Sequence, residues 1–247
     1  MPNHCQNTIT ITGERGYLED FIYFHLTNME NPLNTDDLSD NMFIMFSFES
    51  VLPRPEALED ISSGVCTIDG ESHRVWRRVD GKNVAVSDGE YEALKEKYGA
   101  VNLYDWSIKN WDTKWDAYSF TMETNLNSNL WHQPVFVPYN DATTLGMEGK
   151  APFYMLQMSF TTAWSPPENV FYHLSEMNPR LLFCNKWEEE GGMEGEQVYL
   201  KGDCIFEDSR QTGHEIYSLT DTYQDELRKL SDNNYASDNN DIQGQKD

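Results

Sequence analysis

Near the start of the chain, β-branched and polar residues alternate from Thr8 to Thr12 and stop at Gly13, which predicts a half-buried strand over 8–13. Tyr17, Leu18, Phe21, Ile22, Phe24 and Leu26 then recur at helical spacing, with Glu14 and Glu19 near the helix start. A polar loop over 31–41 follows. Met42 to Val51 reads as a buried strand closed by Pro53 and Pro55. Residues 56–87 carry short alternating stretches separated by Asp-Gly pairs at 69–70 and 80–81, the mark of an inserted β-hairpin or a loop. Over 88–99 the spacing predicts a short helix, with Asp88 as N-cap, Tyr91 and Leu94 on one face, and Gly99 at the C-cap.

After a Trp-rich passage, strands are predicted over 119–123 and 135–137, with an Asn/Ser turn over 125–129 and a loop over 139–152. Phe153 to Thr162 alternates as a long strand. Pro166-Pro167-Glu168 opens a helix, since proline is tolerated at a helix's first positions. Val170, Phe171, Leu174 and Met177 form its buried face, and Asn178-Pro179 ends it. Segments 181–187 and 196–200 flank an acidic glycine-containing turn as a hairpin, which 203–207 extends. The order of elements predicts an α+β fold, an antiparallel sheet with helices on one face. One domain is expected over 1–207 with an insertion around 56–87. An acidic C-terminal segment with helical character is expected over 208–230, and a disordered polar tail over 231–247.

Charge narrows the function classes. The 247 residues hold 18 Lys plus Arg against 42 Asp plus Glu, a formal net charge of −24, while aromatic residues at 13% identify a chain that builds a core. Such a surface repels phosphate backbones and anionic membranes, so direct nucleic-acid and membrane binding are not expected. The four cysteines are dispersed without a CxxC pair, as expected of buried thiols in a reducing compartment. With no basic-then-apolar leader in the first residues and no apolar run near 20 residues, a cytoplasmic setting is expected.

Three stretches carry unusual information: the opening Met1-Pro2-Asn3…Asn7-Thr8-Ile9-Thr10-Ile11-Thr12-Gly13, Asn110-Trp111-Asp112-Thr113-Lys114-Trp115-Asp116-Ala117, and Phe160-Thr161-Thr162-Ala163-Trp164-Ser165-Pro166-Pro167. In this order they resemble the YubB-like family of plasmid and bacteriophage proteins with a ferredoxin-like domain. The resemblance covers roughly residues 1–207, and departs where Asp112 stands in place of the family's Gly. It implies a mobile-element origin and a ferredoxin-like α+β fold, and no particular activity; for a phage product the cytoplasm is the host's.

From the residues themselves, Trp106, Trp111, Trp115 and Trp164 are expected as an aromatic cluster between sheet and helices, with Lys114 lying along a Trp face. The alternative makes Trp111, Lys114, Trp115 and Trp164 a pocket for an anionic small ligand. No nucleophile elbow, P-loop or HExxH is present, and the histidines are scattered. His4 and Cys5 lack a second pair at metal-site spacing, so no catalytic residue, metal or cofactor is assigned. Between Trp187 and Glu226 lie twelve acidic residues against Lys201 and Arg210. Glu188, Glu189, Glu190, Glu194, Glu196, Glu207 and Asp208 are expected to form one continuous anionic face. The leading expectation is an accessory protein that uses this face to bind a host protein with a basic surface, inhibiting a nucleic-acid-binding defence or restriction factor by mimicking DNA. A Trp-pocket ligand binder or enzyme, and a phage structural or assembly component, are the rival classes.

Overall fold

The central strand β1 (His4–Glu14) alternates inward Cys5, Asn7, Ile9 and Ile11 with more exposed residues, and this period-2 pattern fixes which face carries the core. A computed structural model describes residues 3–30, 42–122, 137–138, 153–211 and 228–230. Helix α1 (Arg15–His25) follows directly and buries Leu18, Phe21 and His25, leaving Tyr23 and Phe24 exposed. Strand β2 (Leu26–Glu30) pairs with β3 (Met42–Phe46) as a separate two-stranded ribbon. The strand expected to reach Val51 stops at Phe46. There the Ser47 hydroxyl and the Asp116 carboxylate take the N–H groups of Glu49 and Phe48, which turns the backbone into a 3₁₀ helix at Phe48–Ser50.

The insertion is more ordered than a hairpin or loop. Strands β4 (Ile61–Ile68), β5 (Glu71–Val79) and β6 (Lys82–Ala85) form a three-stranded antiparallel sheet of their own. Both Asp-Gly pairs make its turns: Asp69, Gly70, Asp80 and Gly81 all have positive φ, as a two-residue turn matched to strand twist requires. Helix α2 (Asp88–Tyr98) is capped one residue earlier than expected, because the Ser87 hydroxyl, not Asp88, accepts the N–H of Glu90. Gly99 closes it in the left-handed region. Helix α3 (Leu103–Trp111) is capped by Asn102, which accepts from Asp105 N, and it accounts for the Trp-rich passage.

Strands β7 (Tyr118–Met122), β8 (Val137–Pro138) and β9 (Phe153–Ala163) return to the main sheet. Helix α4 (Glu168–Met177) leads into β10 (Leu182–Glu189), β11 (Met193–Leu200) and β12 (Asp203–Gln211). The main sheet has the order β12-β11-β10-β1-β9-β7, antiparallel throughout, with β8 beside β9. Its segment β10-β1-β9-β7 is the β-α-β-β-α-β arrangement of a ferredoxin-like fold, into which the insertion enters between α1 and β7. Strand β12 runs past the expected boundary at 207, because Asp208 to Gln211 complete its pairing with Met193–Glu196. The expected loops and turn over 31–41, 125–129 and 139–152, most of the 212–230 segment and the tail over 231–247 lie outside the described residues.

One sheet face carries the main core. Ile9, Ile11, Phe160, Phe183 and Tyr199 pack there with Leu18 and Phe21 of α1 and Phe171 and Leu174 of α4. The opposite face holds a smaller cluster of Phe153, Leu182, Cys184, Val198 and Leu200, closed by Leu230.

Candidate functional site

The three informative stretches converge on one polar chain behind Trp164. The buried Asn7 amide donates to Thr162 Oγ1 at 2.9 Å, Thr162 Oγ1 donates to the Ser165 carbonyl at 2.7 Å, and Ser165 Oγ donates to the Asp112 carbonyl. Beside it, Thr113 Oγ1 both donates to the Ala163 carbonyl and accepts the Ala163 N–H, each at 3.0 Å. The loop after α3 is thereby tied to the loop before α4. Buried polar groups satisfied in series order both partners.

This clamp holds Trp164 in an unusual place. Its φ is +76°, a region bulky side chains avoid at a cost of about 1–3 kcal/mol. Its N–H donates to the Asn3 carbonyl at 3.0 Å. The indole stands out to solvent at 43% exposure, with Trp115 at 40% and Tyr104 at 45%. Lys114 Nζ lies 3.2 Å from the Trp164 ring centroid, 5.8 Å from Trp115 and 5.9 Å from Tyr104. The expected contact of Lys114 with a Trp face is present. The expected four-Trp core cluster is not. Trp106 and Trp111 are buried, stacked edge-to-face at 5.6 Å, while Trp115 and Trp164 form a surface patch with Tyr104. Nor do the four ligand-pocket residues form one pocket, because Trp111 is fully buried and its indole N–H is donated to the Leu52 carbonyl at 2.9 Å. The reason is the left-handed backbone at Asp112 and Trp164, which reverses the chain and separates neighbours in sequence onto opposite sides.

The acidic residues do not make one continuous face. Strand alternation sends Glu188, Glu194, Glu196 and Asp208 to the face opposite α4, in register across β10, β11 and β12. There they line a shallow depression of about 240 Å³ together with Lys186 and Arg210. Lys186 pairs with Glu196 at 3.3 Å; Arg210 pairs with Glu194 at 3.1 Å and Asp208 at 3.7 Å. The surface is a ladder of mixed charge. Glu189 and Glu190 are held at the sheet's end, where Glu189 accepts from the Asn3 amide and Glu190 from the His4 N–H. Glu207 points the other way, to Gln197. A one-residue step along a strand reverses the face, which a count of acidic residues does not register.

Two features were not read from the sequence. Tyr104 completes the aromatic patch, and its helix was not foreseen. On the α4 side of the sheet, Asn185 and Gln197 are buried polar residues at inward strand positions, and Glu168 beside them is pushed up by burial and by the nearby Glu207 and Asp112 carboxylates. The polar letters at inward positions were the available signal. Among the described residues no three His, Cys, Asp or Glu side chains converge as a metal-ligand set, and no helix is long and apolar enough to cross a membrane.

Fold and surface together define an α+β protein with a ferredoxin-like domain. Residues 148–230 match the family described as the ferredoxin-like domain in Api92-like protein. Among solved structures, the chain is similar to the protein api92 from Yersinia pseudotuberculosis, at 11% identity, 88% coverage of this chain, 100% of that chain and a TM-score of 0.39. No curated protein matches the chain.

Proposed function

We infer that the chain is a protein-binding module whose contact surface is the aromatic patch of Tyr104, Trp115 and Trp164 around Lys114. The observation that carries this reading is Trp164, held exposed in a costly backbone conformation by a buried hydrogen-bond chain. Exposed Trp and Tyr set on a rigid support are the residues that dominate binding energy at protein interfaces. The net charge of −24 steers encounters towards basic partners, an effect on association rate more than on affinity. The mixed ladder of Glu188, Glu194, Glu196 and Asp208 is a secondary contact. Lys186 and Arg210 within it favour a salt-bridged protein contact over a DNA-like run of like charge. The finer reading belongs to the same proposal: a phage or plasmid accessory protein that inhibits a host nucleic-acid-binding defence or restriction factor.

The test is partner capture from nuclease-treated bacterial lysate with three baits: the natural chain, Trp115→Ala with Trp164→Ala, and Glu188→Lys with Glu194→Lys. A partner lost only with the double Trp variant supports the patch as anchor. A partner lost only with charge reversal, and released by moderate salt, moves the contact to the acidic ladder. Capture unchanged by both variants removes the proposal.

A further inference from the structure

In a chain with 42 acidic residues, Lys114 makes no ion pair and no side-chain hydrogen bond among the described residues. It meets aromatic rings instead. Its Nζ lies over Trp164, Trp115 and Tyr104, 3.2, 5.8 and 5.9 Å from their centroids. Each is within the roughly 6 Å at which a ring attracts a cation. The rings come from three places: Tyr104 from the first turn of α3, Trp115 from the loop after it, and Trp164 from the loop before α4. The hydrogen-bond chain through Asn7, Thr162 and Ser165 ties those two loops together, so the rings are set in place before any ligand arrives. At 40–45% exposure the cluster is open to solvent.

Such a cage selects one kind of cation. A primary ammonium is strongly hydrated and carries three N–H donors, for which the rings offer no ordinary acceptor. A quaternary ammonium has no N–H to satisfy and gives up little when it leaves water for π faces. Lys114 also fits loosely. Its nitrogen rests against Trp164 and stands 2.6 and 2.7 Å farther from Trp115 and Tyr104 (5.8 and 5.9 Å against 3.2 Å). Methyl carbons of a trimethylammonium stand about 1.5 Å from nitrogen and touch a ring at about 3.5–4.0 Å, which sets the nitrogen about 5–5.5 Å from each ring. Trp115 and Tyr104 are already near that distance, and a cation shifted outward from Trp164 completes the third contact.

We propose that Trp164, Trp115 and Tyr104 form an aromatic cage for a methylated lysine side chain of a partner protein, with Lys114 as its resident competitor. The inference rests on the aromatic patch being the contact surface and names the group that this surface reads. Charge favours such a partner, because a net charge of −24 draws cationic segments and methylation leaves a lysine's charge in place. The long stem of Lys114 lets its head swing out to water as the ligand enters.

The test is a proton NMR titration of the full chain, following the indole N–H signals, with three forms of one short peptide. The first carries trimethyllysine, the second lysine, and the third the neutral tert-butyl isostere of trimethyllysine. Saturable binding of the first, about tenfold tighter than either other form, is expected. Trp115→Ala and Trp164→Ala should each weaken it about tenfold, while Lys114→Ala should strengthen it about two- to fivefold by removing the competitor. Circular dichroism confirms that each variant folds, and Lys114→Ala leaves the rings intact. Equal binding of the three peptides, no saturable binding, or weaker binding to Lys114→Ala would each overturn the cage. Sedimentation with phosphatidylcholine vesicles that depends on Trp115 and Trp164 would move the same chemistry to a lipid headgroup and overturn the protein source. Partner capture lost in the double Trp variant without a preference for the methylated peptide would keep the interface and overturn the cage. Capture unchanged in that variant, with the methylated peptide still preferred, would support the cage and overturn the interface reading.

Discussion

Asp112 caps a helix that begins far away in sequence: its Oδ2 accepts the backbone N–H of Asn169, 57 residues later, at 2.8 Å. Helix α4 needs this, because its own N-cap, Pro167, offers no side-chain acceptor. Oδ1 is also 3.2 Å from the Asn169 amide. Burial pushes the Asp112 carboxyl up and the Asn169 N–H pulls it down. Aspartate is thus explained at a left-handed position, with φ of +59°, where glycine is easier. Asp112→Ala should cost about 1–2 kcal/mol in urea unfolding, since it loses the cap and keeps the strained backbone. Asp112→Gly should cost less, because relief of the backbone offsets part of the lost cap.

Trp164→Gly separates interface from scaffold. Glycine removes a backbone penalty of about 1–3 kcal/mol, which offsets the loss of an exposed cation–π contact of about 0.5–1 kcal/mol and of the packing made by the covered part of the indole. The variant should unfold close to the denaturant concentration of the natural chain while partner capture falls. A large loss of stability would show that the indole is structural.

His25 gives the fold an acid-sensitive joint. The ring is buried between α1 and the C-terminus of α4, with Nε2 accepting from the Asn178 amide at 3.2 Å and Nδ1 facing Ser50 Oγ at 3.4 Å. Burial holds its pKa below the ordinary histidine value. The unfolded chain takes up the proton first, so this contribution is complete above about pH 6.5 and is lost as pH falls through the lowered folded value. Unfolding free energy should decline below about pH 6.5, and His25→Gln should flatten that decline. An unchanged slope in the variant would assign the acid sensitivity elsewhere.

Thiol reactivity should follow burial. Cys5 is pushed up to about 12 by burial, and burial raises Cys184 as well. In native protein at mildly alkaline pH a disulfide reagent should modify the more accessible Cys66 first, and Cys5 and Cys184 only on unfolding. Rapid native labelling of Cys5 would mean that β1 separates from β9 or β10 far below global unfolding.

Gly195 is required by its neighbour. A Cβ there would stand 2.6 Å from the Trp187 ring, its cross-strand partner. Gly195→Ala should displace the indole, seen as a shift in tryptophan emission, and cost about 1–3 kcal/mol.

How much of this was legible depends on range. Periodicity located the β1, α1, β9, α4 and β10 cores, because burial on one face writes itself into local spacing. The Asp-Gly pairs located both turns of the insertion, since positive φ at two successive residues demands such residues. Helix α3 was missed where clustered Trp residues hid its Asn102 cap, and the end of β3 was set by Asp116, seventy residues away in the chain.

For the candidate sites, residue identity alone established a chain rich in acid, its anomalous Trp motifs and the contact of Lys114 with a Trp face, because composition and adjacent residues are local properties. Only the tertiary structure decided that Trp111 is core while Trp164 is surface, that the acidic residues divide between two faces, and that Glu168, Gln197 and Glu207 meet. Those outcomes hang on strand register and on two left-handed residues. A single step in register, or one backbone reversal, changes a side chain's surroundings without changing its spacing in the sequence.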